Sequence, residues 1–325
     1  MNSIKVSIIT STMNRAVYLR RVYKSLQLQT IKNFEWIIGN DGSSDETLKT
    51  VKELSIGSSF PITILSASER IGKSKIDNHA INEARGEYIM LCDSDDWLES
   101  SAIEKMLNAA ESHHHKEESF LGAIGLSQDN LGKCLSKFPA GIESSLPLND
   151  LFYTHLFQED CAILFKRNVL ANNPFPEVDF YIPEGCLWSK IGDMNVKLCH
   201  DIILNKEYNS KHAISYTNKF TYSKGKAVSI SQIYNNLARK HKKEFNLILD
   251  IFTYLRFSIH GDISLKKMFQ LFPGAYWPLI SVILPIAYIF SIRDRVRKMV
   301  DKTHVKFEAA ALKYKLDVHK YEKVK

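Results

Sequence analysis

Tyr88-Ile89-Met90-Leu91-Cys92-Asp93-Ser94-Asp95-Asp96-Trp97 runs from an apolar stretch into three carboxylates within four residues. A short apolar run bounded by a polar turn reads as a buried strand, which puts Asp93, Asp95 and Asp96 on a loop at a strand's carboxyl end. Carboxylates crowded in this way repel one another unless a cation sits among them. Mg2+ and Mn2+ take oxygen ligands and are held by one or two carboxylates together with phosphate oxygens and water. Asp93 and Asp95 are therefore expected to hold a divalent ion against a diphosphate, where it would neutralise charge growing on a leaving group. Asp96 completes the set, although an aspartate here can also cap a helix.

The neighbouring sequence repeats this pattern. Val6-Ser7-Ile8-Ile9 leads into the polar loop Thr10 to Arg15, and Trp36-Ile37-Ile38 is closed by Asn40-Asp41-Gly42-Ser43. Leu19, Val22, Tyr23 and Leu26 recur at helical spacing, as do Leu48, Val51 and Leu54 behind a cap at Ser44 or Asp45. Ile62 to Leu65 adds a strand and Ser74 to Ala84 a helix. Strands alternating with helices predict an α/β fold, a mostly parallel central sheet with flanking helices. Ligands of such sheets bind beyond the carboxyl ends of the strands. The loops at 10–15, 40–45 and 93–96 each follow a strand, so all three should meet at one edge. Past residue 110 the regularity fades, with strands expected near Phe120 to Leu126 and Ala162 to Phe165. His113-His114-His115 reads as a solvated loop, because consecutive side chains rarely share one cation.

The chain has 325 residues, 45% hydrophobic and 24% charged, as ordinary globular proteins do. Its five cysteines include no C-x-x-C pair, which argues against a zinc cage or disulfide framework and for a reducing, cytoplasmic setting. The N-terminus runs straight into a strand and has no signal-peptide pattern. The net charge of +7 says little unless it is clustered, and basic runs without interleaved aromatics argue against nucleic acid.

Val6 to Arg15, Ser25-Leu26-Gln27-Leu28-Gln29-Thr30, Phe34 to Ile38, Asn40 to Asp45 and Gly86 to Asp96 together closely resemble the GT-A fold family-two glycosyltransferases, over roughly residues 4 to 110. The resemblance implies a Rossmann-like nucleotide-diphospho-sugar transferase domain. It further implies an inverting enzyme that moves a sugar from a nucleotide donor, UDP-linked by default, to a saccharide or lipid-linked hydroxyl in surface polysaccharide biosynthesis. By position, Thr12, Asn14 and Asp41 would contact the donor's base and ribose, and Asp93, Asp95 and Asp96 the metal and sugar diphosphate. Three residues depart from the pattern. Met13 stands where the family has Tyr, Asn40 replaces the first acid of a pair, and Asp77 replaces an Arg. An acid facing diphosphate is unfavourable, so Lys73 or Lys75 is expected to supply the cation, or Asp77 to point away. An inverting transfer also needs a base at the acceptor hydroxyl. Pro183-Glu184-Gly185 resembles the pattern in which Pro-Glu opens a helix beneath the acceptor, which makes Glu184 the expected base, with Glu159, Asp160 and Asp179 as alternatives.

The expected layout is a donor half at 1–110, an acceptor half at 111–225 and a helical C-terminal region at 226–325. Residues 268–292 of that region carry no charge, and Lys266, Lys267, Arg293, Arg295, Arg297 and Lys298 flank them. Length alone permits a membrane span. Pro273, Pro278 and Pro285 interrupt the run, and cations at both ends oppose crossing, so an interfacial or re-entrant segment on the inner face of the cytoplasmic membrane is expected. Thr303 to Lys325 reads as a polar helix or tail. Two other readings are a nucleotidyltransferase and an inactive scaffold on the same fold. The first normally needs a glycine-rich loop after the first strand, and Thr10 to Arg15 has no glycine. The intact carboxylate triplet argues against the second.

Overall fold

The computed structural model describes residues 3–112, 119–142, 144–155, 157, 159–178, 180–207, 220–237, 247–272 and 274–296. His113 to His115, Asp179, Pro273, Arg297, Lys298 and the tail from Thr303 lie outside the described residues. The chain forms two compact units, Met1–Phe245 and Asn246–Lys325.

The first unit is built on one mixed sheet. Its strands are β1 (Val6–Thr12), β2 (Phe34–Asn40), β3 (Ile62–Ser66), β4 (Tyr88–Leu91), β5 (Trp97–Leu98), β6 (Phe120–Asp129), β7 (Ser145–Pro147), β8 (Ala162–Lys166) and β9 (Asn195–Lys206). Their order is β3-β2-β1-β4-β8-β6-β9-β5, with β7 paired to β9. The parallel pairing expected for the first half holds for β3-β2-β1-β4. In the second half β8 runs antiparallel to both β4 and β6, while β6 and β9 are parallel.

Helices α1 (Ala16–Gln27), α2 (Thr47–Ser55), α3 (Lys73–Glu83), α4 (Ala102–Glu111), α5 (Arg167–Asn172), α6 (Gly185–Ile191) and α7 (Ser223–Leu237) complete this unit. Residues 223–237, grouped by sequence partly with the C-terminal region, therefore belong here, and Asn236 Nδ2 ties α7 to Ser189 Oγ of α6 at 2.9 Å. Alternation along the strands sorts the apolar side chains into two layers. Ile8, Trp36 and Met90 pack with α1 and α4, and Ile9, Ile37 and Ile89 pack with α3 and α6. Every residue of β2 is buried, as a strand covered on both faces requires. Its Glu35 is accommodated by Ser7 Oγ at 2.7 Å and by Arg85 through N at 2.7 Å and Nε at 2.8 Å. Glu46 rather than the expected Ser44 or Asp45 is the N-cap residue of α2, and Asp45, one position earlier, accepts from Thr47 N at 3.0 Å.

The second unit contains α8 (Leu247–His260), α9 (Leu265–Leu271) and a long helix, α10 (Gly274–Val296). Of the prolines expected to interrupt the apolar run, Pro278 and Pro285 lie within α10 without breaking it, and Pro273 lies outside the described residues between α9 and α10. Pro278 falls in the first turn, where the missing N–H has no helical partner to lose, and the helix continues through Pro285. Ile280, Ile283, Ala287 and Ser291 recur at helical spacing and are buried. Asp294, one turn further on, accepts from Arg256 Nε at 2.6 Å and lies 3.1 Å from His260 Nε2, fastening α10 to α8. The outer stripe, Val282, Ile286 and Ile289, is exposed.

Candidate active site

In the strand order β3-β2-β1-β4 the chain turns back between β1 and β4, the kind of crevice in which doubly wound sheets bind ligands. The loops after these two strands meet there. Arg15 Nη1 lies 2.8 Å from Asp95 Oδ2, and Arg21 Nη2 donates to the Asp95 carbonyl at 2.5 Å while its guanidinium sits over the Trp97 ring. The loop after β2 is stitched to the same edge by Asn14, whose backbone is left-handed at φ 55°, a conformation asparagine tolerates. Its Oδ1 accepts from Ser44 N at 2.8 Å and Asp45 N at 3.3 Å. Asp41 turns its carboxylate to the backbone of Ile71 (2.6 Å) and Gly72 (3.0 Å), holding the segment that leads into Lys73. Gly42 is required beside it, since a Cβ there would stand 2.4 Å from the Glu69 carbonyl carbon and φ is +69°. The predicted convergence of the three loops is thus present. Two of the predicted donor contacts, Asn14 and Asp41, also shape the loops, whereas the buried Thr12 Oγ1 has no hydrogen-bond partner among the described residues.

The other wall comes from residues far along the chain. Antiparallel pairing of β8 with β4 sets Asp160 and Cys161 against the Asp93 loop. Pairing of β5 with β9 sets Trp97 opposite Asn205, so the next residue, Lys206, reaches Asp96 Oδ2 at 3.3 Å and Asp160 Oδ1 at 3.7 Å. Asn78 of α3 clamps the backbone of Phe175 in both directions, at 2.9 and 3.0 Å, and anchors the segment that delivers Glu184. Lys73 Nζ then lies 2.8 Å from Asp77, 3.1 Å from Glu184 and 3.7 Å from Asp93. Lys73, rather than Lys75, is therefore the cation among these carboxylates. Asp77 neither faces open solvent nor stands alone: it is buried and shared between Lys73 and the Ser11 hydroxyl.

The electrostatics separate the acids. Burial pushes Asp96 up to about 7 against the pull of Lys206, with Asp93 and Asp95 adding to the rise. Burial also raises Glu184, and Asp93 and Asp77 add to this against the opposing Lys73. For Asp93 burial acts upward but is outweighed by Lys73, Lys206 and Arg15, and the net shift is downward. Burial alone would lower Lys73, yet Asp77, Glu184 and Asp93 together raise it well above its ordinary value.

Asp93 keeps about half of its side chain exposed, whereas Asp96 is buried. Among the described residues no group of three or more His, Cys, Asp or Glu is arranged to hold a metal by itself. Two aspartates on one loop, one of them open, fit a hard divalent ion that takes its remaining ligands from phosphate and water. Asp93, Asp96, Glu184 and Lys206 line a single cavity of about 450 Å3. Lys206 was missing from the sequence-based site. Its only signal was its place at the end of the apolar run Ile202-Ile203-Leu204.

The fold is similar to that of TarS from S. aureus, solved with UDP-GlcNAc, at 16% identity and TM-score 0.58 over 87% of this chain and 80% of that one. It is also similar to mannosyltransferase PcManGT from Pyrobaculum calidifontis, solved with GDP-Man and Mn2+, at 18% identity and TM-score 0.51 over 90% and 88%. By sequence the chain is 31% identical over 185 residues to a GalNAc(5)-diNAcBac-PP-undecaprenol beta-1,3-glucosyltransferase of Campylobacter jejuni, covering 57% of this chain and 58% of that protein. It is 38% identical over 102 residues to the chondroitin synthase of Pasteurella multocida, covering 31% and 10%. The chain thus spans little more than half of the first relative and a tenth of the second. The model of glycosyl transferase family 2 matches residues 7–171, from β1 into α5 and across the carboxylate loop, and the chain belongs to that family.

Proposed function

We propose that the chain is an inverting glycosyltransferase that moves a sugar from a nucleotide-diphosphate donor, UDP-linked by default, to a hydroxyl of a saccharide or lipid-linked acceptor. The observation that carries this reading is the position of Lys73. Its ammonium lies between Asp93 of the carboxylate loop and Glu184 on the opposite wall. A single displacement needs this arrangement, with leaving-group chemistry on one side of the anomeric carbon and a base on the other. Asp93 and Asp95 would hold a divalent ion, Mn2+ or Mg2+, which when bound would neutralise charge on the departing diphosphate. Thr12, Asn14 and Asp41 border the nucleotide, and Lys73 offers a cation to its phosphates. Asp96, neutralised by Lys206, orients the donor sugar. Glu184 takes the proton from the attacking acceptor hydroxyl, and its raised proton affinity suits that task.

The test is nucleoside diphosphate release from a panel of nucleotide sugars with Mn2+ and an added saccharide. Acceptor-dependent release is expected, and saturating UDP with Mn2+ should stabilise the protein by about 2.7 kcal/mol at a hundred times Kd. Pyrophosphate release from a nucleoside triphosphate would instead identify a nucleotidyltransferase. Binding without turnover of any donor would identify a scaffold.

The second unit is proposed to place the enzyme on the cytoplasmic face of a membrane. By length and composition α10 could cross a bilayer, with a mean hydropathy of 1.8 and only 22% of its apolar window buried. Its inner stripe packs on α8, and the exposed stripe Val282, Ile286 and Ile289 continues one turn on to Arg293, as in a helix lying in the interface. The Campylobacter relative is named for an acceptor on PP-undecaprenol, which fits this placement. Replacing Val282, Ile286 and Ile289 together by Glu should release the protein from anionic vesicles in a flotation assay. Undiminished flotation would refute the interfacial role.

A further inference from the structure

The acceptor end of the cavity is lined by rings and carboxylates. Phe152, Tyr153, Phe157, Tyr181 and Trp188 line it together with Asp96, Glu159, Asp160 and Glu184. The rings are held in place. Trp188 lies one helical turn beyond Glu184, and its ring packs edge-on against Phe165 at 5.4 Å and Phe175 at 5.8 Å. The Tyr181 ring lies 5.0 Å from Tyr222, and its backbone comes so close to α7 that a Cβ on Gly225 would stand 1.8 Å from the Tyr181 carbonyl oxygen. Aromatic faces carry negative potential and accept the weakly positive C–H face of a pyranose, while the surrounding acids accept its hydroxyl protons.

The charge balance in this half is one-sided. The one cation among the described lining residues is Lys206, and it is already shared by Asp96 and Asp160. Lys73, behind the wall, is shared by Asp77, Glu184 and Asp93. Glu159 has no ion-pair partner among the described residues, and its carboxylate is held only by the Lys137 backbone N–H at 2.5 Å. An anion entering this space meets the exposed Glu159 and Asp160 carboxylates, and among the described lining residues no cation beyond the already shared Lys206 offsets their repulsion. We infer that this cavity selects a pyranose acceptor carrying no negative charge, neutral or amino-substituted, and rejects uronic acids and sugar phosphates, with Glu159 and Asp160 as the selecting residues. The inference rests on the glycosyltransferase reading, because it takes the cavity to be the acceptor site.

The experiment measures the binding of methyl β-glucopyranoside, methyl β-glucosaminide and methyl β-glucuronide by saturation-transfer NMR, on the full chain with UDP and Mn2+ present. The glucuronide is expected to bind about tenfold or more weakly than the neutral sugar. In the double variant E159Q/D160N, whose amide oxygens still accept hydroxyl protons but carry no charge, the ratio of glucoside to glucuronide affinity should fall to within about threefold. Equal binding of glucuronide and glucoside by the wild type, an unchanged gap in the variant, or binding of none of the three glycosides would each overturn the inference. Failure of UDP and Mn2+ to bind at all would count against the donor reading itself, and that is measured separately in the same samples.

Discussion

Glu184→Gln is expected to lower kcat by about 10^2 to 10^4 while leaving the affinity for UDP with Mn2+ within a factor of about two. Glutamine keeps the size of the side chain and its hydrogen-bonding reach but cannot take a proton from the acceptor. The variant removes one of the three acids around Lys73, yet Asp77 at 2.8 Å and Asp93 at 3.7 Å continue to hold the ammonium at the donor side. Turnover and calorimetric UDP binding therefore separate. If the variant turns over at the wild-type rate, the base lies elsewhere, and Asp160, which lines the same cavity, becomes the next residue to replace.

Asp95→Ala should act in the complementary way. Removing one of two carboxylates available to a divalent ion is expected to weaken Mn2+-supported UDP binding by about a hundredfold and to reduce transfer at least as much, in line with the several kcal/mol such an ion contributes. Asp95 is also the partner of Arg15 at 2.8 Å, so loss of the ion pair has to be separated from loss of a ligand. Arg15→Gln breaks the pair and keeps the carboxylate, and should leave the Mn2+ dependence of UDP binding in place. The measurement is a UDP titration with and without Mn2+ in each variant. Mn2+-dependent binding that survives in Asp95→Ala would remove Asp95 from the metal set.

The sequence alone determined the first half of the sheet, β1 to β4. Its strands are short apolar runs and its helices amphipathic, both local patterns, and a parallel sheet carries every post-strand loop to one edge whatever the detailed packing. The meeting of Thr12, Asp41 and Asp93 at that edge was therefore legible from spacing, and the family from the motifs on those loops. Only the tertiary structure decided the opposite wall of the site. Lys206 reaches Asp96 through the pairing of β5 with β9, across 110 positions of chain, and Lys73 reaches Glu184 across 111. Such contacts arise from strand register and from one buried clamp, Asn78 on Phe175, and neither leaves a periodic trace in the sequence. The same holds for α10. Composition revealed its apolarity, but only packing on α8 and α9 separated the stripe that is buried from the stripe that is left exposed.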